Sequence, residues 1–439
     1  MPNADLNSKH IADLHELASE RGIDGYRKLT RTELIDELGG DSGGGDSGGR
    51  GGRGGKRGGR GRGGRGRGGG RGGDGGGGRD EEQDEELDEP VSGVLEITSR
   101  GHGFIKLDDP ELAEGDIYVS PSQIRRCELE AGDVIAGPAR KARRGERHPA
   151  LVHIDTVNGA EPGERGTKFE ELDAVPASRR LPLTGEAVEA DDEKLLLRSI
   201  DLLAPLARGH RVLVNATRGS GRTTLLRALA RELAKAEDLE VVVALIDERP
   251  EEETAWREAL PDVELAIASA DMRPGEQLRV VELAVAKAKR KAEAGGDVAL
   301  LIDSLSRLAV AADDPGATKP VFAAGRETSD DDAGSLTVVA TALTGIEDGG
   351  VAKALATTEN VTLTLNADIA AAGVYPALDV SGCRVTGEGE LLSEPELAGL
   401  RALRAELADL EPLAAAERLA EHLGKASSNE ALLADLADE

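Results

Sequence analysis

Residues 213–226, LVNATRGSGRTTLL, set glycines, hydroxyls and arginines between an apolar stretch and a helix-forming one. A strand that feeds a glycine-containing loop and then opens a helix is an anion cradle, because the free amides of the first helical turn point at the ligand. The candidate phosphate contacts are Thr217, Arg218, Gly219, Ser220, Gly221, Arg222, Thr223 and Thr224. The pattern GxxxxGK[ST] is broken twice: Asn215 or Ala216 occupies the region of its first glycine, and Arg222 stands where the lysine belongs. Arginine keeps the charge but spreads it over a planar fork in place of a compact ammonium. Thr223 keeps the hydroxyl expected to coordinate Mg²⁺.

Two later apolar runs end in carboxylates. VVVALIDERPEEE (241–253) delivers Asp247, Glu248 and Arg249 to the carboxyl end of a buried, parallel-type strand, where open α/β sheets hold their ligands. VALLIDSLSRLAV (298–310) does the same with Asp303 and adds Ser304 and Arg307. Asp303 is the better candidate for a Mg²⁺ shell, and Glu248 can orient or deprotonate an attacking water. Arg249 and Arg307 would hold phosphate or neighbouring carboxylates. A single such acid is more often a helix cap; two strand ends after a phosphate-type loop are a joint signal.

The elements that position these residues follow from periodicity. LLLRSIDLLAPLARGHRVLV (195–214) reads as a helix, a turn at Gly209 and a buried strand, and LLRALARELA (225–234) as a helix. A helix is expected within 273–296, strands at SLTVVATAL (335–343) and NVTLTLN (360–366), and a helical tail over 394–423 that packs at an edge or subunit contact.

Upstream, VLEIT (94–98), GFIKL (103–107), DIYVS (116–120) and LVHIDTV (151–157) are short β-prone stretches broken by Gly, Asp and Pro. They suggest a small closed barrel such as an oligonucleotide-binding or cold-shock-like fold. His102 and Phe104, two apart, share one strand face. With Tyr118 and His148 they form either a base-stacking platform or, for Phe104 and Tyr118, part of the barrel core. Lys106, Arg125 and Arg126 are available to phosphate.

The amino-terminal 6–38 reads as two or three short helices. Residues 41–80 hold nine arginines, Lys56 and four acids in a glycine background, which cannot form a core and is expected to be disordered. This arm either contacts RNA through its guanidiniums or serves as a solubilising tether. DEEQDEELDE (80–89) sets eight acids against it. The formal net charge of -29 opposes adhesion to nucleic acid through the whole surface, and is also what a saline cytoplasm would select. Cys127 and Cys383 have no CxxC spacing, no run of about 18 apolar residues exists, and MPNADLNSKH is too polar to begin a signal peptide, so a soluble cytoplasmic protein with no membrane partner is expected.

The combination of GHGFIKL (101–107), DIYVSPSQIRR (116–126), ARGHRVLV (207–214), LIDERPEE (245–252), LLIDSLSRLA (300–309) and GSLTVVATAL (334–343) resembles the bacterial transcription termination factor Rho family. The resemblance covers about 330 residues and includes the amino-terminal helical unit. It implies a ring-shaped homohexamer that hydrolyses ATP with Mg²⁺ in response to single-stranded RNA. It also implies a RecA-like α/β P-loop domain that pulls RNA and dislodges RNA polymerase. His102, Phe104, Tyr118 and His148 match the family's primary RNA site, Arg222 and Thr223 its phosphate-loop pair, Glu248 its catalytic glutamate and Asp303 its Mg²⁺-linked aspartate. Three departures accompany the matches: arginine for lysine at 222, short segments at 311–327 and 344–360 where pore loops are expected, and Val380 where an arginine precedes Ser381. The expected organisation is a helical unit over 1–40, a linker over 41–90, the barrel over 91–157, a connector over 158–190 and the ATPase-type domain over 191–439.

Overall fold

The computed structural model describes Leu38 and residues 90–107, 115–143, 145–163, 166–186, 188–329, 333–344 and 350–438. The expected amino-terminal helices (Leu38 apart) and the Gly/Arg-rich and acidic linker lie outside these residues.

Seven short strands build the first sheet: β1 (Val91–Ile97), β2 (Gly103–Leu107), β3 (Ile117–Val119), β4 (Val134–Gly137), β5 (Ala139–Arg140), β6 (Ala150–Leu151) and β7 (Thr156–Val157). Their order is β5-β6-β3-β2-β1-β4-β7. Pro138, which has no N–H for a ladder, separates β4 from β5. On one side of it β4 lies between β1 and β7, and on the other β5 pairs with β6 at the opposite edge, so one kinked strand runs from one side of the sheet to the other and the sheet curls back on itself. Side chains alternate as a half-buried sheet requires: Leu95, Ile105, Ile117, Val119 and Ile135 are fully buried, while Phe104, Lys106 and Tyr118 are partly exposed on the other face. Phe104 and Tyr118 therefore lie outside the core. The stretch 151–157 is interrupted, with only its two ends in strands. Helix α1 (Pro121–Arg126) follows β3 behind a capping box in which Ser120 and Gln123 satisfy each other's backbone N–H.

The second sheet holds β8 (Arg211–Ala216), β9 (Leu239–Glu248), β10 (Glu264–Ser269), β11 (Asp297–Asp303), β12 (Leu336–Leu343), β13 (Val361–Leu365) and β14 (Arg384–Val385). The order is β10-β9-β11-β12-β8-β13-β14, parallel except for β14 at the edge. Both faces are covered, which is why β9 and β11 read as unbroken apolar runs. Val241, Val243 and Leu245 pack towards α2 (Asp191–Leu203) and α3 (Arg222–Leu233). Val242, Ala244 and Ile246 pack towards α5 (Pro274–Glu293) and α6 (Leu305–Ala312), with α4 (Pro250–Ala259) leading from β9 to β10.

The tail forms three helices, α7 (Glu394–Leu407), α8 (Pro412–Lys425) and α9 (Asn429–Asp438), whose leucines join the same core as α2 and α3. Gly399 lets α7 meet α9: a Cβ there would lie 2.1 Å from the Leu433 carbonyl. Barrel and sheet meet at α5, where buried Arg290 pairs with Glu130 and Glu293, and Lys168 Nζ lies 2.6 Å from Glu130. Both cysteines are free and buried, and burial pushes the Cys383 thiol up to about 12. Among the described residues, no helix is long and apolar enough to cross a membrane.

Candidate functional site

Parallel strands deliver their carboxyl ends to one edge, and the residues singled out in the second sheet gather there. β8 ends at Ala216, the loop runs over 217–221, and α3 begins at Arg222 with Gly221 as an N-cap that offers no side-chain bond, so the first amides stay open to a ligand. Gly219 and Gly221 adopt φ of 81° and 91°, which glycine takes without strain. Ser220 folds inward, its hydroxyl donating to the Thr217 carbonyl at 2.7 Å. Thr217 Oγ1 accepts the Ala367 N–H at 3.1 Å, anchoring the loop to the chain after β13. A cleft of about 270 Å³ opens over the loop. Thr217, Arg218, Gly219, Gly221, Arg222, Thr223 and Thr224 line it, together with Arg307 and Leu343; Ser220 does not.

Asp303, at the end of β11, is fully buried. Its Oδ2 accepts from Thr223 Oγ1 at 3.2 Å and its Oδ1 from Thr341 Oγ1 at 2.9 Å, with Arg222 Nε 3.4 Å from Oδ1. Glu248 ends β9 after a bulge in the β9–β10 ladder, with Asp247 at φ 53°. Arg307 Nη1 donates to Glu248 Oε1 at 2.5 Å and to the Ile246 carbonyl at 3.1 Å. Burial raises the Glu248 carboxyl above its ordinary range; Arg307 opposes this and the nearby Asp303 charge adds to it. Arg249 turns away, its exposed guanidinium lying on Glu251 and Glu252 at 3.4 and 3.3 Å. The edge thus carries amide donors, two cationic forks and two buried carboxylates, which suits binding a polyphosphate and activating a water beside it. Among the described residues no group of three or more His, Cys, Asp or Glu is placed to hold a metal.

On the barrel, β2 and β3 carry Phe104 and Tyr118, and the segments leading into β2 and β6 add His102 and His148 to them. Phe104 lies 5.5 Å from His102, 6.0 Å from Tyr118 and 5.0 Å from His148, centroid to centroid, and His102 lies 5.7 Å from Tyr118. Lys106 Nζ donates to Asp116 at 2.6 Å and is 3.7 Å from Glu96. Arg126 joins Tyr118 and His148 along a cleft of about 620 Å³, whereas exposed Arg125 lies outside it.

Sequence reasoning passed over Arg140, Glu146 and Arg147, which line the same cleft. Arg140 grips Glu146 through both terminal nitrogens at 2.7 and 2.9 Å, and these bonds hold the exposed carboxyl down at about 2. The arginine-dense stretch 139–148 was the available signal. Thr341 was also missed: a threonine inside an apolar strand carries no mark of its partner 38 residues away.

Comparisons with known proteins agree with this two-part arrangement. Residues 91–163 match the family described as Rho termination factor, RNA-binding domain, and residues 5–38 its N-terminal domain. Residues 197–319 match the ATP synthase alpha/beta family, nucleotide-binding domain. In fold, the chain is similar to an ATP synthase subunit from Nanoarcheaum equitans, with a TM-score of 0.50 and 16% identity over 64% of this chain and 82% of that one. It is 34% identical over 367 residues to the transcription termination factor Rho of Rhodopirellula baltica, covering 77% of this chain and 70% of that protein. The Rho protein of Haemophilus influenzae is 36% identical over 363 residues, covering 77% and 85%. With RNA-binding and nucleotide-binding units in this order, at this identity and over this share of both sequences, the chain belongs to the Rho termination factor family.

Proposed function

We propose that this chain is an RNA-binding, ATP-dependent transcription termination factor in which RNA-stimulated ATP hydrolysis drives RNA translocation. The observation that carries the reading is the convergence of the 217–224 loop, Glu248, Arg307 and Asp303 on one sheet edge, in the same chain as a four-ring platform. Single-stranded RNA would stack on His102, Phe104, Tyr118 and His148, with Lys106, Arg125 and Arg126 serving its phosphates. The barrel is read as an OB-type fold and the Gly/Arg-rich segment as an RNA-contacting arm, with the domain limits given from the sequence. Family membership favours a homo-oligomer, taken as a hexameric ring, acting on RNA polymerase.

At the cleft, the loop amides and Arg222 would hold the ATP phosphates. Glu248 would orient and deprotonate the attacking water, its raised pKa making it a better base near neutral pH than an ordinary carboxylate. Arg307 would hold Glu248 in place, and Arg249 completes the set as a peripheral cation. Thr223 and Asp303 are the donor types Mg²⁺ uses, but the carboxylate oxygens are already engaged by Thr223, Thr341 and Arg222. A divalent ion does not fit beside that guanidinium.

A second reading is a degenerate Rho paralogue that binds RNA and nucleotide without efficient translocation. Arg222 in the lysine position, the short segments 311–327 and 344–360, and Val380 before Ser381 favour it. ATP hydrolysis by the full chain, with and without cytosine-rich single-stranded RNA, separates the two. Turnover stimulated by RNA and abolished in Glu248→Ala supports the motor; tight RNA binding with background turnover supports the paralogue.

A further inference from the structure

Arg222 opens α3, and its largely buried side chain turns down onto Asp303, Nε to Oδ1 at 3.4 Å. Thr341 donates to the same oxygen and Thr223 to the other, at 2.9 and 3.2 Å. Both oxygens of the carboxylate that would anchor a divalent ion are therefore engaged by this chain's own donors. Its charge is met by a guanidinium that does not lose its proton in proteins. Mg²⁺ demands near-octahedral oxygen ligands at about 2.0–2.1 Å and gives up water reluctantly. To reach Asp303 it would have to displace Arg222 and then remain beside it, two like charges in a pocket screened from water.

The guanidinium also has the reach to replace the ion. It carries five N–H donors in a fixed fork, its Nε ion-paired with Asp303 at 3.4 Å, and Arg222 lines the cleft beside the open loop amides. A lysine ammonium is a compact point charge and lacks a fork that holds a carboxylate on one side and a phosphate on the other. Arg307, already seated on Glu248, supplies a second fixed cation at the cleft wall.

We propose that this cleft takes the polyphosphate of a nucleoside triphosphate without a divalent cation, Arg222 bridging the phosphates to Asp303 in the place a metal ion would occupy. The inference rests on the nucleotide reading above and deepens it. The test is calorimetric titration of the full chain with the β,γ-imido analogue of ATP, once in excess EDTA and once in excess Mg²⁺. The two dissociation constants are expected to agree within about threefold. Binding that is about tenfold or more weaker in EDTA overturns the inference and leaves nucleotide binding standing, whereas no binding in either buffer overturns both. Arg222→Lys should introduce metal dependence, with affinity in EDTA at least about tenfold below that in Mg²⁺. A lysine variant as indifferent to the metal as its parent also overturns the proposal. The first comparison uses the unaltered chain, so the question is decided even where the variant fails to fold.

Discussion

Phe104→Ala should strip single-stranded RNA affinity from the barrel while leaving its fold intact. Phe104 is the hub of the ring cluster, within 5.0 to 6.0 Å of His148, His102 and Tyr118, and it projects from the face of β2 opposite fully buried Ile105. Base–aromatic stacking is worth about 1–3 kcal/mol per base on truncation to alanine, and about 2 kcal/mol corresponds to roughly a 30-fold rise in Kd. The upper half of that range is expected, because losing the hub also frees the rings that lean on it. The assay is fluorescence anisotropy with labelled cytosine-rich RNA over a salt series. Phenylalanine is uncharged, so the slope of log K against log salt should match the parent, whereas Arg126→Ala should flatten it by about 0.7 for each phosphate that the guanidinium neutralises. Ile105→Ala is the contrast: it empties the core and should cost about 2–5 kcal/mol of stability. A Phe104→Ala protein that binds RNA within about twofold of the parent refutes the platform, and one that unfolds as Ile105→Ala does shows the ring to be core.

Glu248→Gln should reduce RNA-stimulated ATP hydrolysis by roughly 10²–10⁴-fold while sparing nucleotide affinity. In the parent, the rate should climb with pH through a value above the ordinary 4.5, because the deprotonated carboxylate is the base and burial raises its pKa. His210 is buried and accepts the Ala207 N–H at Nδ1, and burial, with Arg211 nearby, lowers its pKa from 6.5 to about 4. The unfolded chain therefore takes up that proton first as pH falls, so about 3 kcal/mol of stability, complete above pH 6.5, should drain away between 6.5 and about 4. Denaturant titrations across that range should show a flatter profile for His210→Asn. Gly132 sits at φ +90° with α5 so near that a Cβ would lie 2.4 Å from the Ala286 carbonyl carbon. Gly132→Ala should therefore prise the barrel from α5, cost about 1–3 kcal/mol and expose the 158–190 connector to limited proteolysis.

The second sheet was legible because its chemistry and its packing share the same residues. Strands buried on both faces must be continuous apolar runs, so β9 and β11 announced themselves, and whatever polar residue ended each run had to lie at the ligand edge. The barrel was only partly legible. β5, β6 and β7 are two residues long, too short to carry a period, and the closure depends on a kink at Pro138 that no periodicity marks. The stretch 151–157 looked like one strand because its alternation continues through residues whose backbone leaves the ladder. In the tail, the apolar spacing of 394–423 was read as helical and set at an edge or subunit contact, whereas its leucines, on helices parted by the turn before Pro412, join the core of the sheet. The contacts made by Asp303 were hidden for a different reason: Thr341 and Arg222 reach it from separate strands and helices, and only the register of β8, β11 and β12 brings them together.

The two ends of the site differ in how much substitution their chemistry tolerates. A base needs a flat surface, and every aromatic or imidazole ring presents one, so histidine at 102 and 148 keeps the platform's centroid spacings of 5 to 6 Å. Phosphoryl transfer instead depends on charges fixed within fractions of an ångström of where charge develops. Replacing an ammonium by a guanidinium at 222 keeps the sign of the charge and changes its shape, reach and partner, as the contact with Asp303 illustrates. RNA capture by the ring platform is therefore expected to survive whatever the chain's turnover. Tight RNA binding is thus compatible with a working motor and with an idle one, and only RNA-stimulated turnover at the nucleotide cleft tells them apart.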